Sequence, residues 1–138
     1  MIEKFFDEIS TEFSIKPNEY SPLNLAYIGD AVFEIFVRSI ILKKGNMPVN
    51  QLHKFSKEIV NAKAQAEMFD KIKDKVSDEE LAVLKRGRNA KSFTSAKNAS
   101  ITDYRHATGL EALFGYLYIK GDFQRLNEIF DMCIEGRF

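Results

Sequence analysis

Apolar residues at helical spacing constrain this chain more than any other feature. The three prolines stand at breaks between periodic stretches and never inside one. That placement suits a residue whose fixed φ and missing N–H are tolerated at a helix start but not in its interior. Ser21 followed by Pro22 reads as an N-cap and first helical residue. Leu25, Ile28, Val32, Ile35, Phe36 and Ser39 then run at helical spacing toward Lys43, Lys44 and Gly45. Pro48 opens a second long element, in which Leu52, Phe55, Ile59, Ala62, Ala66 and Phe69 recur every three or four residues. Ser77 with Glu80 three positions later predicts a capping box and a third helix. Residues 102–121 and 122–136 predict two more, split at Gly121. The segments "FVRSIIL" and "LFGYLYI" contain β-formers, but their long helical frames outweigh that preference. Residues 86–99, rich in Gly, Asn, Ser and Lys, are expected to form a loop. The expectation is an all-α single domain over residues 1–138.

With 138 residues and 45% hydrophobic residues, the chain has enough material for a core of its own. Lys plus Arg balances Asp plus Glu at 20 each, so net charge points to no partner. A single cysteine, Cys133, excludes an internal disulfide and suits a reducing compartment. The first ten residues, "MIEKFFDEIS", lack the plan of a secretion signal, and no apolar stretch approaches the length of a membrane span. These features lead to the expectation of a soluble, cytoplasmic protein with no membrane partner.

Against this ordinary background, "LAYIGDAVFE" is unusual. Gly29 weakens a helix interior by about 1 kcal/mol relative to alanine. Asp30, beside it, places a carboxylate in an apolar run, which is costly if buried without a partner. The later stretch "ATGLEALFGYLYI" repeats the arrangement, with Glu111 among Gly109, Ala112 and Gly115. Two helices with small residues beside one acid each can pack closely and bring the acids together. Paired hard oxygen donors suit Mg²⁺, with Mn²⁺ as a substitute, and such an ion keeps several waters and bridges to phosphate. Taken singly, either acid could equally cap a helix, pair with a base or face solvent. Between Leu81 and Thr102 there is no acidic residue, but there are Lys85, Arg86, Arg88, Lys91 and Lys97, with Asn89 among them. This segment is a candidate phosphate-binding surface, with Gly87 allowing close backbone approach; a solvated loop is the plain alternative.

At these residues the chain resembles the ribonuclease III family. "YIGDAVFE" is similar to that family's signature helix and "LEALFGYLYI" to its second acidic helix. "LAYIGDAVFE", "KRGRNAKS" and "YRHATGLEALFGYLYI", in that order, resemble most closely the Mini-ribonuclease III subfamily. The resemblance covers essentially the whole chain. It implies a helical ribonuclease III-type endonuclease domain in which Asp30 and Glu111 are catalytic and bind Mg²⁺. The implied products carry a 5′-phosphate, a 3′-hydroxyl and a short 3′ overhang, made by a two-fold homodimer acting on double-stranded RNA. By the same resemblance, the substrate is the 23S ribosomal RNA precursor, trimmed at both ends. Larger members have three further acids where this chain has Leu23, Ala26 and Thr108, so more water is expected around the cation. Larger members also append a double-stranded RNA-binding domain. The sequence here stops at Phe138, soon after the last helix, so the catalytic domain is expected to grip RNA itself, through Lys85, Arg86, Arg88, Asn89, Lys91 and Lys97.

Several other residues invite simpler readings. Glu34 shares a helical face with Asp30 and would serve as an ion-pair partner or as a water-mediated support for the cation. Tyr104, Arg105 and His106 precede the second acidic helix, where a shaping role fits better than acid–base chemistry. The twelve phenylalanines are expected in the core, and Cys133 on a packing helix without a catalytic partner. Two rival readings remain: a ribonuclease III-like module that binds RNA or a ribosomal partner without cutting, and a helical scaffold whose basic segment meets an acidic protein.

Overall fold

A computed structural model describes residues 13–91 and 100–137. Those residues form six α-helices and no strand: α1 (Pro22–Leu42), α2 (Val49–Ile59), α3 (Ala62–Ile72), α4 (Asp78–Asn89), α5 (Ile101–Lys120) and α6 (Phe123–Ile134). A short 3₁₀ turn, Pro17–Glu19, precedes them. The all-α expectation holds.

The caps read from the sequence are present. The Ser21 hydroxyl accepts from the Asn24 N–H at 3.2 Å, with Pro22 at the first helical position. Ser77 and Glu80 form the capping box that starts α4. Gly121 ends α5 in the left-handed conformation, at φ 80°. No helix among the described residues is long and apolar enough to cross a membrane.

Helix α5 runs through the middle of the molecule. From Ala107 to Ile119 all its residues are buried except Glu111, so it is apolar around its whole circumference rather than along a stripe. It packs against α1, α3, α4 and α6. Around its second half, Phe33, Phe114 and Phe130 meet edge to face, Phe33 and Phe114 with centroids 5.2 Å apart. Cys133 is buried on α6, and its thiol is pushed up to about 12 by burial, which leaves it inert at neutral pH.

Two helix crossings on α5 are closer than side chains permit. A methyl group on Gly29 of α1 would lie 1.7 Å from the Glu111 carbonyl oxygen and 2.8 Å from the Gly115 nitrogen. A methyl on Gly115 would lie 1.9 Å from the Leu25 carbonyl oxygen. Helices α1 and α5 therefore touch backbone to backbone. The second crossing joins α4 to α5, where a methyl on Gly87 would come within 2.7 Å of the Gly109 Cα.

This second crossing corrects the expected loop. Residues 86–89 belong to α4, which ends at Asn89 with Ala90 as its C-cap. Gly87 is buried against α5, so the close approach it allows is to Gly109 and not to a phosphate. Residues 92–99 of the same expectation lie outside the described residues. The single long element expected after Pro48 is also two helices. At the break, Val60 leaves helical geometry (φ −93°, ψ 78°) and Asn61 caps both ends. Its Nδ2 donates to the Lys57 carbonyl at 2.8 Å, and its Oδ1 accepts from the Ala64 N–H at 2.8 Å. Continuous apolar spacing across residues 52–69 conceals a turn that one amide makes favourable.

Candidate active site

The α1–α5 crossing fixes the candidate site. Asp30 follows Gly29 directly, and Glu111 supplies the carbonyl that Gly29 meets, so the closest point of the crossing places the two acids together. The two carboxyl groups are close enough for Asp30 to push the Glu111 pKa up. Asp30 is exposed, whereas Glu111 is only partly so. Both open into a cleft of about 450 Å³, also lined by Leu23, Ala26, Tyr27, Tyr104 and Thr108. Leu23, Ala26 and Thr108 are the three positions where the resemblance leads one to expect further acids. Here the cleft is apolar at the first two. At the third, the Thr108 hydroxyl is committed to the Tyr104 carbonyl at 3.0 Å.

The electrostatics of this pair call for a cation. Burial pushes the Glu111 carboxyl up to about 9, helped by Asp30 and, less strongly, by Glu34. Gln65, whose Nε2 donates to Glu111 Oε2 at 3.5 Å, opposes this rise. Without a cation, Glu111 therefore holds a proton at neutral pH. A divalent ion at the cleft mouth would take that proton's place. No cluster of three or more His, Cys, Asp or Glu side chains able to hold a metal occurs among the described residues. Two hard oxygen donors facing an open cleft fit Mg²⁺, an ion that retains water and shares its coordination with phosphate. They would not satisfy a closed structural metal site, which takes four protein ligands.

The neighbouring residues are occupied as follows. Glu34 pairs with Arg38 at 3.1 Å on the exposed side of α1, the ion-pair option of the two expected for it. The His106 Nδ1 lies 2.7 Å from the Thr102 carbonyl, and its ring stands edge to face on Phe69 at 4.6 Å. It braces the first turn of α5 against α3 and does not line the cleft. Tyr104 does line it.

The basic residues gather at the end of α4, beside the second crossing. Gly87 lies on Gly109, two positions from Glu111, so this basic end meets α5 less than one turn from the acid pair. Lys85, Asn89 and Lys91 are exposed there, and Arg88 is partly exposed with its Nε 3.1 Å from Asn89 Oδ1. Arg86 is exposed but engaged: its guanidinium donates to the Tyr20 carbonyl at 3.2 Å and to that of Asn18 at 3.5 Å, tying the 3₁₀ turn to α4. Lys97 lies outside the described residues.

Two features of the site were not read from the sequence. Gln65 is buried in contact with Glu111. The available signal was a polar residue in register with Met68, Phe69 and Ile72 on an apolar helical face. Tyr27 is 83% exposed at the cleft mouth, which no periodicity reveals.

Comparison with known proteins agrees with the helical fold. The profile of the Ribonuclease III domain matches residues 23–122. A Mini-ribonuclease 3 of Thermoanaerobacter sp. is 49% identical over 115 residues, covering 83% of this chain and 81% of the relative. The Mini-ribonuclease 3 of Clostridium tetani is 48% identical over 135 residues, 97% of this chain and 88% of the relative. A crystal structure of a Fusobacterium nucleatum protein superposes with a TM-score of 0.78 at 32% identity, covering 87% of this chain and 96% of that one.

Proposed function

The chain belongs to the ribonuclease III family of endoribonucleases, and from that premise we propose that it hydrolyses phosphodiester bonds of double-stranded RNA with Mg²⁺ held by Asp30 and Glu111. The observation that carries this reading is the closeness of those two carboxyl groups at the mouth of an open cleft. When bound, the cation would supply an activated water and charge stabilisation on the phosphoryl group. The protein's part is positional. The glycine crossing fixes the separation of the acids, Tyr27 and Tyr104 flank the phosphate's approach, and the buried side of the cleft limits competing water. Cleavage of duplex RNA with Mg²⁺ (or Mn²⁺), silenced by a chelator and leaving 5′-phosphate ends, tests the assignment. Binding without cleavage under those conditions would favour a non-catalytic RNA-binding module instead.

The proposed substrate is the duplex stem that flanks 23S ribosomal RNA in its precursor, trimmed at both ends in the cytoplasm. The Ribonuclease III domain match and the ribonuclease names of the relatives support an RNA substrate, and double-stranded RNA is recognised mostly by shape, phosphates and 2′-hydroxyls. Staggered cuts on two strands require two sites, hence a homodimer. Ile35, 54% exposed, and Leu42, 57% exposed, lie seven positions apart on one side of α1 and give it an apolar surface suited to a two-fold contact. Sedimentation at about twice the 15.9 kDa chain mass is expected, and a strict monomer making staggered double-strand cuts would overturn the two-site scheme.

The proposed RNA grip is the end of α4 and the residues after it: Lys85, Arg88, Asn89, Lys91 and Lys97, with Arg86 contributing charge from its tether. Each phosphate contact displaces counterions, so affinity should fall with salt at a log–log slope of roughly 0.7–0.9 per contact. Replacing Lys85, Arg88 and Lys91 with alanine in an Asp30→Asn background should weaken duplex binding and flatten that slope by about two. Unchanged affinity and slope would move the grip elsewhere, for example to Lys54, Lys57 and Lys63, exposed on α2 and α3.

A further inference from the structure

Three polar side chains are buried among the described residues: Glu80, Thr108 and Gln65. Two have structural partners. Glu80 takes a two-pronged ion pair from Arg125, at 2.8 and 2.9 Å, that locks α4 to α6. Thr108 bonds back to its own helix. The third, Gln65, is 4% exposed, and its amide reaches 46 residues along the chain to Glu111. A buried amide without a partner costs on the order of 1–3 kcal/mol, so a glutamine on the apolar face of α3 has to be accounted for.

We propose that Gln65 is a positioning residue for the metal site: its amide holds the Glu111 carboxyl in the orientation that, with Asp30, receives the divalent cation. The inference rests on the metal assignment above and deepens it. Geometry favours this role in three ways. Glu111 is the inner of the two acids, so protein rather than bulk water must orient it. One Glu111 oxygen, Oε2, faces Gln65, and Asp30 acts on the same carboxyl, so the amide contacts the group that the acid pair shares. Finally, α3 is pinned where Gln65 sits. Asn61 caps the helix one turn earlier, and Phe69, one turn later, carries the edge-to-face contact with His106 and lies where a methyl on Gly109 would meet its ring at 2.8 Å. The amide therefore approaches Glu111 from a fixed platform. The contact is long, at 3.5 Å, and hydrogen bonds at catalytic sites often tighten only in the Michaelis or transition-state complex. A site with few carboxylate ligands depends more on each one's orientation, and a neutral amide provides it without a competing charge.

The test uses Gln65→Met, which keeps length and flexibility but removes the amide, and Gln65→Leu as a second variant in case the first folds poorly. Mn²⁺ binding to the RNA-free protein is measured by calorimetry, beside thermal unfolding with and without Mn²⁺ and the metal dependence of duplex RNA cleavage. Loss of an outer partner of a metal ligand typically costs 10- to 100-fold in metal affinity or activity. The expected result is a Mn²⁺ dissociation constant raised by that factor, a smaller stabilisation by Mn²⁺, and a cleavage midpoint moved to higher metal, with the KM for duplex RNA unchanged. A native protein that binds Mn²⁺ beside variants that bind it equally well would overturn the positioning role alone, even if their unfolding temperatures fell. A native protein that binds no Mn²⁺ would overturn both this role and the metal assignment.

Discussion

Asp30→Asn and Glu111→Gln are each expected to reduce duplex RNA cleavage by about 10³-fold or more at saturating Mg²⁺, with the helical fold and duplex binding retained. Each substitution preserves shape and neutralises one of the two carboxylates proposed to hold the cation. Charge stabilisation by a bound metal contributes several kcal/mol to a phosphoryl transition state, and each 1.36 kcal/mol is tenfold in rate, so losses of three or more orders of magnitude follow. Single-turnover cleavage with excess enzyme isolates the chemical step from product release. Native-like rates in either variant would remove that residue from the site. The two variants also carry a stability signature in the absence of metal. Glu111 keeps its proton to about 9 in the fold against 4.5 in the unfolded chain. Between those values the folded state binds more protons than the unfolded one, so the stability of the metal-free protein should fall as pH rises through that window, by on the order of a few kcal/mol. Glu111→Gln should flatten this dependence and raise the melting temperature at pH 8. Mg²⁺ should stabilise the native protein more at pH 8 than at pH 6, and Glu111→Gln little at either.

The acid pair is expected to weaken the metal-free fold, and the sequence brought the two acids to notice without showing how they are held. Asp30 and Glu111 were legible because each interrupts an apolar helical run among small residues, Asp30 next to Gly29 and Glu111 between Gly109 and Gly115, and that local conflict pointed correctly to a close crossing. Most helices were legible from caps and spacing, as with Ser21–Pro22 and Ser77–Glu80. The α2–α3 break was not, because apolar spacing carries through it and the turn depends on both ends of the Asn61 side chain. Gly87 was misread for a related reason. In sequence it looks like loop material among Arg and Asn, whereas its lack of a side chain serves contact with Gly109. Gln65 needed the tertiary structure, since its partner is 46 residues away. Glycine and glutamine acquire their meaning from what crosses them, which periodicity along one chain does not encode.

That crossing supplies the second large effect. Gly29→Ala would place a methyl 1.7 Å from the Glu111 carbonyl oxygen, a contact only a shift of α1 away from α5 can relieve. Alanine is the better helix former by about 1 kcal/mol, so on propensity alone the substitution would stabilise the protein. Overpacking of a rigid contact typically costs 1–3 kcal/mol and sometimes more. Here the clash is with backbone on both sides, so the steric term wins, for a net loss of about 2 kcal/mol and a melting temperature lower by roughly 6–10 °C. Gly115→Ala, 1.9 Å from the Leu25 carbonyl oxygen, should behave alike. The double variant should cost less than the sum, because one separation of the helices relieves both clashes. The consequence for catalysis is separate from stability. A displacement of about 1 Å between groups that must act together can cost 10²-fold in rate, and Asp30 and Glu111 ride on the two helices being parted. Well below its melting temperature, folded Gly29→Ala protein should therefore cut duplex RNA about 100-fold more slowly than native while binding it normally. A Gly29→Ala protein that melts and cuts like the native would mean that the close approach of α1 and α5 is not what brings the two acids together.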